Sequence, residues 1–222
     1  MSGHSTGSAL GGKIKYITYM VHNLLKHTRL ILISGIIFAL LAFVISFIFP
    51  KYYSAESQVL IISRSASGVD PYTQSKAAER VGENLAQVMG TTDFYNKVSE
   101  AQSANFNRER WTTMNDRTRR KEWARDVNAE VVYGTGLLRV TVFSNTPDDT
   151  IALSEAVTDT LMTRGWEYVG GDVSIKTVNS PLLSQLPARP NFIINTILGF
   201  ALGGLFAGWW VVTYKRGVFG RL

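Results

Sequence analysis

The chain has no cysteine among its 222 residues. A chain without thiols forms no disulfide, and it cannot supply a thiolate zinc site, an iron–sulfur cluster or a cysteine nucleophile. Any part of it that folds outside the cytoplasm must therefore be stabilised by ordinary packing and by neighbouring subunits. Histidine is scarce as well: the three residues are His4, His22 and His27, all near the N-terminus.

Ionisable side chains are missing from two long segments. Residues 30–49 and residues 192–212 contain no Asp, Glu, Lys or Arg. About 20 residues of α-helix, at 1.5 Å per residue, cross a hydrocarbon core of roughly 30 Å, so we predict two transmembrane helices. A cleaved signal peptide is the alternative for the first run. Its apolar core would be about 7 to 15 residues long and followed by small residues, whereas here the run is longer and bulky residues follow it.

Acidic residues are absent from both ends of the chain. Residues 1–29 and 213–222 together carry seven basic residues, whereas all 17 acidic residues lie between the two apolar runs. Because short segments rich in Lys and Arg remain cytoplasmic, we expect both termini in the cytoplasm and the central residues outside it. The net charge of +6 then reflects membrane topology, and nucleic acid is not an expected partner.

This topology limits the chemistry of the outer domain. All three histidines fall on the inner side, so an outer catalytic triad or a histidine metal site has no donor. Carboxylate chemistry stays open, but no pair of acids stands out. Asp148 and Asp149 follow Thr146-Pro147, a pattern typical of a helix start. We therefore expect a protein that is not an enzyme, with no catalytic, cofactor-binding or metal-binding residues.

The apolar runs divide the chain into six predicted segments. In the first, apolar residues from Ile14 to Leu25 recur at helical spacing. An amphipathic helix lying on membrane lipid and a plain continuation of the first span explain this spacing equally well. The segments are a cytoplasmic tail (residues 1–29), transmembrane helix 1 (30–49), an extracytoplasmic domain (50–180), a proline-rich segment (181–191), transmembrane helix 2 (192–212) and a short cytoplasmic tail (213–222).

Short β-branched runs alternate with helical periodicities in the central domain. The predicted fold class is α/β: a two-span membrane protein with one extracytoplasmic α/β domain, an open sheet with packed helices, between an N-terminal and a C-terminal transmembrane helix. Residues 102–113 are polar and give no prediction. Strands are predicted at 57–63, 130–133, 137–143 and 173–178. Four helices are predicted: at 75–89, after a cap at Thr92 or Asp93, at 115–127, and from Thr146 to Tyr168.

Prolines and glycines are concentrated around the second apolar run. Closely spaced prolines keep a chain extended, because proline fixes φ near −65° and donates no hydrogen bond. A simple helix stop is an equal explanation for any one of them. Glycines four residues apart let membrane helices approach closely, although glycine is common in such helices anyway. The residues are Pro181, Pro187 and Pro190 in the proline-rich motif, and Gly199, Gly203, Gly204 and Gly208 for helix packing.

A run of basic residues lies in the charged helix predicted at 115–127. It is a candidate patch for an anionic ligand such as phospholipid or acidic polysaccharide. Acidic residues lie close by in the sequence, and they favour the alternative of a solvated face with its own counter-charges. The residues are Arg117, Arg119, Arg120 and Lys121.

In this order the motifs resemble the polysaccharide co-polymerase family, the Wzz-type chain-length determinants and their capsule-export relatives. The resemblance is carried by the two terminal spans, the strand within Pro50–Ile62, the strand and Pro-initiated helix at Val140–Ala156, and the proline motif before a Gly-rich second span. Two features differ. Well-studied members carry long helices that project far from the membrane, whereas here only about 40 residues, Thr91 to Glu130, are available for such helices. No phosphate loop of a fused kinase occurs, so we expect a short form lacking a kinase domain.

The resemblance implies a non-enzymatic, oligomeric membrane scaffold that controls the length or export of a surface polysaccharide such as O-antigen, capsule or exopolysaccharide. It implies a bacterial plasma (inner) membrane location and a ring of identical subunits. A separate polymerase and the growing polysaccharide are the implied partners. The alternative is a transmembrane adaptor that activates a separate cytoplasmic tyrosine autokinase, with Tyr214 and Phe219 as the contact residues.

Overall fold

The computed structural model describes residues 24–63, 70–101, 105–170 and 173–219, with the backbone alone at residues 63 and 214–219. Packing divides the chain into two units. One unit, the helix pair, holds the described parts of residues 1–49 and 190–222. The other, the sheet unit, spans residues 50–189. The amphipathic helix considered for residues 1–29 falls mostly outside the described ranges.

The chain alternates helices and strands between two apolar helices, which confirms the predicted α/β class. A 3₁₀ turn, Gly165–Tyr168, continues the last helix of the sheet unit. The elements are α1 (Thr28–Ser46), β1 (Tyr53–Ser63), α2 (Pro71–Met89), α3 (Thr92–Glu100), α4 (Glu109–Thr112), α5 (Asp116–Asp126), β2 (Val127–Val131), β3 (Leu137–Ser144), α6 (Pro147–Arg164), β4 (Val173–Leu183) and α7 (Phe192–Phe219).

The helix pair consists of α1 and α7. Helix α1 and residues Phe192–Thr213 of α7 are long and apolar enough to cross a membrane. Their large side chains remain exposed, with Leu40 at 60% and Leu205 at 72%. So large an exposed apolar surface is stable in lipid and unfavourable in water.

The sheet has four antiparallel strands in the order β2-β3-β1-β4. β1, the first strand, is hydrogen-bonded to β4, the last, so the strand after one apolar helix lies beside the strand before the other. The predicted hairpin is confirmed as β2 and β3, although β2 begins at Val127 and ends at Val131. Its loop contains Gly134 at φ 74°, a left-handed conformation that favours glycine.

The core of the sheet unit lies between one face of the sheet and helices α2 and α6. Alternate residues of β1 and β3, such as Val59 and Val140, are fully buried. They pack in one cluster with Leu85 of α2 and with Leu153 and Leu161 of α6. The period-2 pattern of the strands and the helical pattern of the helices therefore meet in a single layer of apolar side chains.

Two predicted helix starts were wrong by a few residues. Helix α2 begins at Pro71, four residues before the predicted start, because Asp70 accepts hydrogen bonds from the first-turn N–H groups. In α3 the cap is Thr91, whose hydroxyl accepts from a first-turn N–H over 3.3 Å. Thr92 and Asp93, the predicted caps, are already helical.

Candidate functional site

The proline motif begins inside the sheet. Strand β4 extends to Leu183, five residues beyond its predicted end, and Pro181 lies within it. β4 is an edge strand, where the missing N–H of proline is tolerated. Gln58 of β1 faces Asn179, whereas Glu56 faces Leu182, so β4 has an extra residue in this interval. Pro181 therefore lies in a β-bulge, a feature that bends a strand and redirects its side chains.

The rest of the motif runs beside the start of β1 without helix. The Ser184 N–H donates to the Ser54 carbonyl over 2.8 Å, and the Ala188 N–H donates to the Tyr52 carbonyl over 2.8 Å. Pro187 lies between these two contacts. Pro190 follows Arg189, the last residue of the sheet unit. The step of four positions from Ser184 to Ala188 thus spans only two positions at the start of β1, and the chain bends at Gln185 and Leu186. The segment contains no helix, but it is not fully extended, and a role for its prolines stays a prediction.

One face of the sheet carries no helix in the described part of the sheet unit. Residues of β1 and β3 alternate between buried positions facing α2 and α6 and more exposed positions on the opposite side. On that side β1, β3 and the bulged part of β4 border an open groove of about 600 Å³. It is lined by Ser54, Glu56, Gln58, Thr141, Asn179, Ser180, Leu182, Leu183 and Ser184. We call it the polar groove.

Polar contacts cross the strands beside and within the polar groove. Arg139 forms ion pairs with Glu56 at 2.9 Å and with Glu130 at 3.0 Å. Gln58 Nε2 donates to Glu56 Oε1 over 3.2 Å, and Asn179 Nδ2 donates to Gln58 Oε1 over 3.0 Å. The charge of Glu56 is thus compensated, and the two amides are held in defined orientations.

A buried carboxylate organises the end of the sheet unit where the chain enters and leaves it. Asp126 is fully buried, and Arg110 approaches it to 2.6 Å. Arg125 lies 3.2 Å and Arg189 lies 3.8 Å from its other oxygen. Glu122 adds a second acid, 2.6 Å from Arg125. We call these five residues the Asp126 cluster.

Aromatic rings complete this end of the unit. The Arg189 guanidinium lies 3.7 Å from the centre of the Phe143 ring, and it donates to the Arg125 carbonyl over 3.3 Å. The Arg125 guanidinium lies 5.5 Å from the Tyr52 ring. Burial lowers the pKa of Arg125, but the bonds to Asp126 and the charge of Glu122 outweigh it and raise that pKa overall. Arg125 therefore stays charged, and the contacts of Arg189 with Asp126, the Arg125 carbonyl and the Phe143 ring hold the Arg189 side chain in place.

The sequence did not single out the Asp126 cluster. Its members come from α4, α5 and the end of the proline motif, and in the sequence Asp126 is only one of the acidic residues near the basic run. The spacing of the acidic residues carried a signal: Glu122 and Asp126 are four residues apart, so they lie on one helix face, with Trp123 beside that face. Sequence alone does not show that Arg189, 63 positions later, joins them.

A second ionic group ties α3 to the turn after α6. The Tyr168 hydroxyl donates to Asp93 over 2.5 Å, and this bond, with Lys97, lowers the pKa of Asp93. Lys97 lies 2.7 Å from Glu167, and that hydrogen bond, followed by the one to Tyr168, raises its pKa. Burial, then the Asp93 carboxylate, raises the pKa of Tyr168. These shifts follow from structural contacts between two helices and do not require a reaction.

Two of the four candidate glycines lie at the α1–α7 contact. A Cβ on Gly199 would lie 2.7 Å from the Phe38 carbonyl oxygen, and one on Gly203 would lie 2.6 Å from the Ser34 carbonyl oxygen. At Gly204 and Gly208 the nearest atoms, from Ile31 and Leu24, would be 3.7 and 3.5 Å away. The first pair is where the helix backbones approach, and the second pair borders an open apolar groove.

Polar side chains also join the two helices. The Ser34 hydroxyl donates to the Gly203 carbonyl over 3.0 Å, and Asn195 Nδ2 donates to the Ser46 hydroxyl over 2.9 Å. Asn191 caps α7 by accepting from the Ile194 N–H over 3.1 Å. Hydrogen bonds between apolar helices are favourable in lipid, where the alternative partner, water, is absent.

Two residues of the basic run of α5 are engaged in contacts within the sheet unit. Arg119 pairs with Asp116 and lies 5.2 Å from the Tyr95 ring, while Arg120 donates to the Thr92 hydroxyl over 3.2 Å. Arg117, Arg120 and Lys121 are exposed, whereas Arg119 is partly buried. These contacts favour the solvated face over a four-residue anion patch, which stays a prediction. Tyr214 and Phe219 lie in the last turns of α7, where the structure describes the backbone, and their role as contact residues stays a prediction.

In the described ranges no group of three or more His, Asp or Glu residues could hold a metal ion. Asp149 instead accepts from the Asn107 N–H over 2.6 Å and from the Ser144 hydroxyl. Its own N–H donates to Thr146, which caps α6 as predicted.

Comparison with known proteins adds one similarity. Residues 17–110 match the family model Wzz, described as chain length determinant protein. The matched part includes α1, β1, α2 and α3, somewhat less than half of the chain. None of the curated proteins compared with the chain matches it. The match confirms the resemblance drawn from the sequence motifs.

Proposed function

Residues 17–110 match the Wzz chain length determinant family, and on that premise we propose that the chain is an oligomeric membrane scaffold that sets the length of a surface polysaccharide. A separate polymerase forms the glycosidic bonds. The observation that carries the proposal is the family match, which covers the first apolar helix and the first strand that follows it. The four-stranded sheet between two apolar helices agrees with the same role.

The proposed arrangement places the sheet unit outside a bacterial plasma membrane and both termini in the cytoplasm. The distribution of basic residues supports this orientation. The sheet unit is built for two attachments, because β1 and β4 are neighbours and Tyr52 bonds to Arg189. The exposed apolar surfaces of α1 and α7 are suited to lipid, to further copies of the chain, and to a polymerase within the bilayer.

Deletion of the gene tests the proposal directly. Surface polysaccharide from deleted, wild-type and plasmid-complemented cells is separated by size on a gel, and total incorporated sugar is measured in parallel. We expect the length distribution to change in the deleted cells and to be restored by the plasmid, with sugar incorporation continuing. An unchanged distribution, or complete loss of incorporation, contradicts a scaffold that regulates a separate polymerase.

A second role is favoured by the length of α7. The apolar part of this helix ends at Thr213, but the helix continues to Phe219. This extension provides a helical contact for a separate cytoplasmic tyrosine autokinase. Co-expression with such a kinase, with and without residues 214–222, tests the role. Equal autophosphorylation in both cases removes it and leaves the scaffold proposal intact.

A further inference from the structure

The polar groove has the chemistry of a binding site for an uncharged, hydroxyl-rich molecule. Hydroxyl groups come from Ser54, Thr141 and Ser180, and amide groups come from Gln58 and Asn179. Hydroxyl and amide groups donate and accept, so they match the hydroxyl groups of a sugar. A volume of about 600 Å³ lies within the range of about 300 to 1,000 Å³ usual for small-molecule sites.

Charge in and around the groove argues against an anionic occupant. Glu56 is the acidic residue of the lining, and Arg139, which neutralises it, also pairs with Glu130. An anion in the groove would lie near the Glu56 carboxylate, and the groove lining contains no basic residue that could bind the anion. The face is therefore suited to a neutral ligand.

The groove is also organised before any ligand binds. Asn179 donates one of its two amide hydrogens to Gln58, and Gln58 donates one of its two to Glu56. The second hydrogen of each amide remains for a ligand, and the fixed orientation reduces the entropy lost on binding. Leu182 is 76% exposed at the rim and offers an apolar surface to the C–H face of a sugar ring.

The bulge of β4 explains why the groove exists here. Regular pairing would place the side chains of β4 directly beside those of β1. Between Asn179 and Leu182, the two β4 residues Ser180 and Pro181 lie opposite one residue of β1, which interrupts this pairing. Bulges are common next to binding sites because they re-aim side chains. Pro181 is thus one of the two residues in the bulged interval.

We infer that the polar groove binds a short uncharged segment of the polysaccharide whose length the protein sets. The inference rests on the proposed function and adds the place where the sugar chain is held. A subunit that holds a segment of the growing chain can retain it near a polymerase.

The test uses the full-length protein in lipid nanodiscs. The probe is a set of oligosaccharides released by partial hydrolysis from the surface polysaccharide of the producing cells and labelled at their reducing ends. Binding is measured by fluorescence anisotropy at low and at high salt. The variants are Gln58→Ala, Asn179→Ala and Thr141→Val, of which the last keeps the shape of the side chain and removes only its hydroxyl.

Asn84→Ala is the matched control, because Asn84 is an exposed asparagine on α2, the helix that packs on the opposite face of the sheet. We expect salt-independent binding by the wild type and by the control. We expect each of the three groove variants to bind roughly tenfold more weakly, as follows from losing one or two uncharged hydrogen bonds. Thermal unfolding and particle size, measured on each variant, show that the fold and the assembly are retained.

Absence of binding by the wild type, or equal binding by all variants, overturns the inference. So does binding that high salt abolishes, which indicates a charged ligand. A change of particle size in the groove variants also overturns it, because a second copy of the chain then covers the face. Polysaccharide length is measured in cells carrying the same variants. If deletion changes the length but the groove variants do not, the inference fails while the proposed function stands.

Discussion

Tyr52 and Arg189 lie opposite each other in an isolated antiparallel bridge, and the Tyr52 N–H donates to the Arg189 carbonyl over 2.9 Å. The helix pair takes up the chain as far as Phe49 and again from Pro190. Tyr52 and Arg189 therefore lie close to the two ends of the sheet unit in the sequence. The sheet unit is therefore closed at its own two ends. The Asp126 cluster holds this closure by fixing the Arg189 side chain.

Asp126→Asn is expected to destabilise the sheet unit by about 3 kcal/mol, the lower part of the range for removing one partner of a buried ion pair. The value is at the lower end because Arg125 keeps Glu122 as a partner. The measurement is chemical unfolding of the full-length protein in detergent, followed by the fluorescence of the buried Trp111 and Trp123.

Asp116→Asn is the control for this experiment. Asp116 also pairs with an arginine, Arg119, but its side chain is 88% exposed. Exposed pairs contribute roughly 0 to 1 kcal/mol, so the control should change the unfolding free energy little. Equal effects of the two substitutions would show that the cluster does not stabilise this end of the unit.

Trp123→Phe is expected to destabilise the protein by about 1 to 3 kcal/mol. Trp123 Nε1 donates to the Met89 carbonyl over 2.8 Å in the core, and phenylalanine leaves this buried carbonyl without its partner. The Trp123 ring also meets the rings of Tyr95 and Trp111 edge to face, at 5.1 and 5.5 Å. Thermal unfolding followed by circular dichroism measures the change. A melting temperature equal to that of the wild type would refute the role of this bond.

The sequence predicted the elements whose signals are local. Thr146-Pro147 predicted the start of α6, and the alternation around Val140 predicted a strand with one buried face. The sequence did not place Trp111, which is 2% exposed in the core, because α4 is a single turn within a polar stretch and shows no periodicity. A four-residue helix has too few positions to reveal one.

Contacts between distant residues were not predictable. The proline motif indicated an extended segment, but the pairing of that segment with β1 depends on tertiary structure. The same holds for the polar groove, since Gln58 and Asn179 are 121 positions apart. Helix starts were shifted because several Thr and Asp residues near Thr91 are chemically competent caps, and only packing selects one of them.

Gly203→Ala is expected to weaken the α1–α7 contact, whereas Gly204→Ala is not. A Cβ on Gly203 meets the Ser34 carbonyl oxygen at 2.6 Å, and one on Gly204 meets only a side-chain methyl at 3.7 Å. Separation of the backbones should cost roughly 1 to 3 kcal/mol, as overpacking does elsewhere.

The absence of native cysteine allows this contact to be read by cross-linking. Cysteines replacing Ser46 and Asn195, whose side chains are hydrogen-bonded at 2.9 Å, should form a disulfide under mild oxidation. We expect Gly203→Ala to lower the yield several-fold and Gly204→Ala to leave it unchanged. A lower yield with both, or with neither, contradicts the assignment of the close approach to Gly203.

The protein should lose stability in acid partly through Asp93. Hydrogen bonds from Tyr168 and Lys97 lower the pKa of Asp93 in the folded state, while an unfolded aspartate has a pKa of about 3.9. The stabilisation is therefore present above about pH 4 and is lost as the pH falls through the lower, folded-state pKa.

Melting temperatures measured from neutral to strongly acidic pH test this linkage. Tyr168→Phe removes the largest cause of the shift, so its melting temperature should fall less steeply below about pH 4 than that of the wild type. Parallel curves for the two proteins would show that the Tyr168 bond does not set the pKa of Asp93.

The most direct test of the whole account is the side of the membrane on which each part lies. Single cysteines are placed in the cysteine-free chain at Ser5, at Tyr133, which is 87% exposed in the sheet unit, and at Leu222, and intact spheroplasts are treated with a membrane-impermeant maleimide. The account predicts labelling at residue 133 alone, with residues 5 and 222 labelled only after permeabilisation. Labelling of residue 5 or 222 in intact spheroplasts, or protection of residue 133, would contradict a sheet unit held outside the membrane by both of its ends.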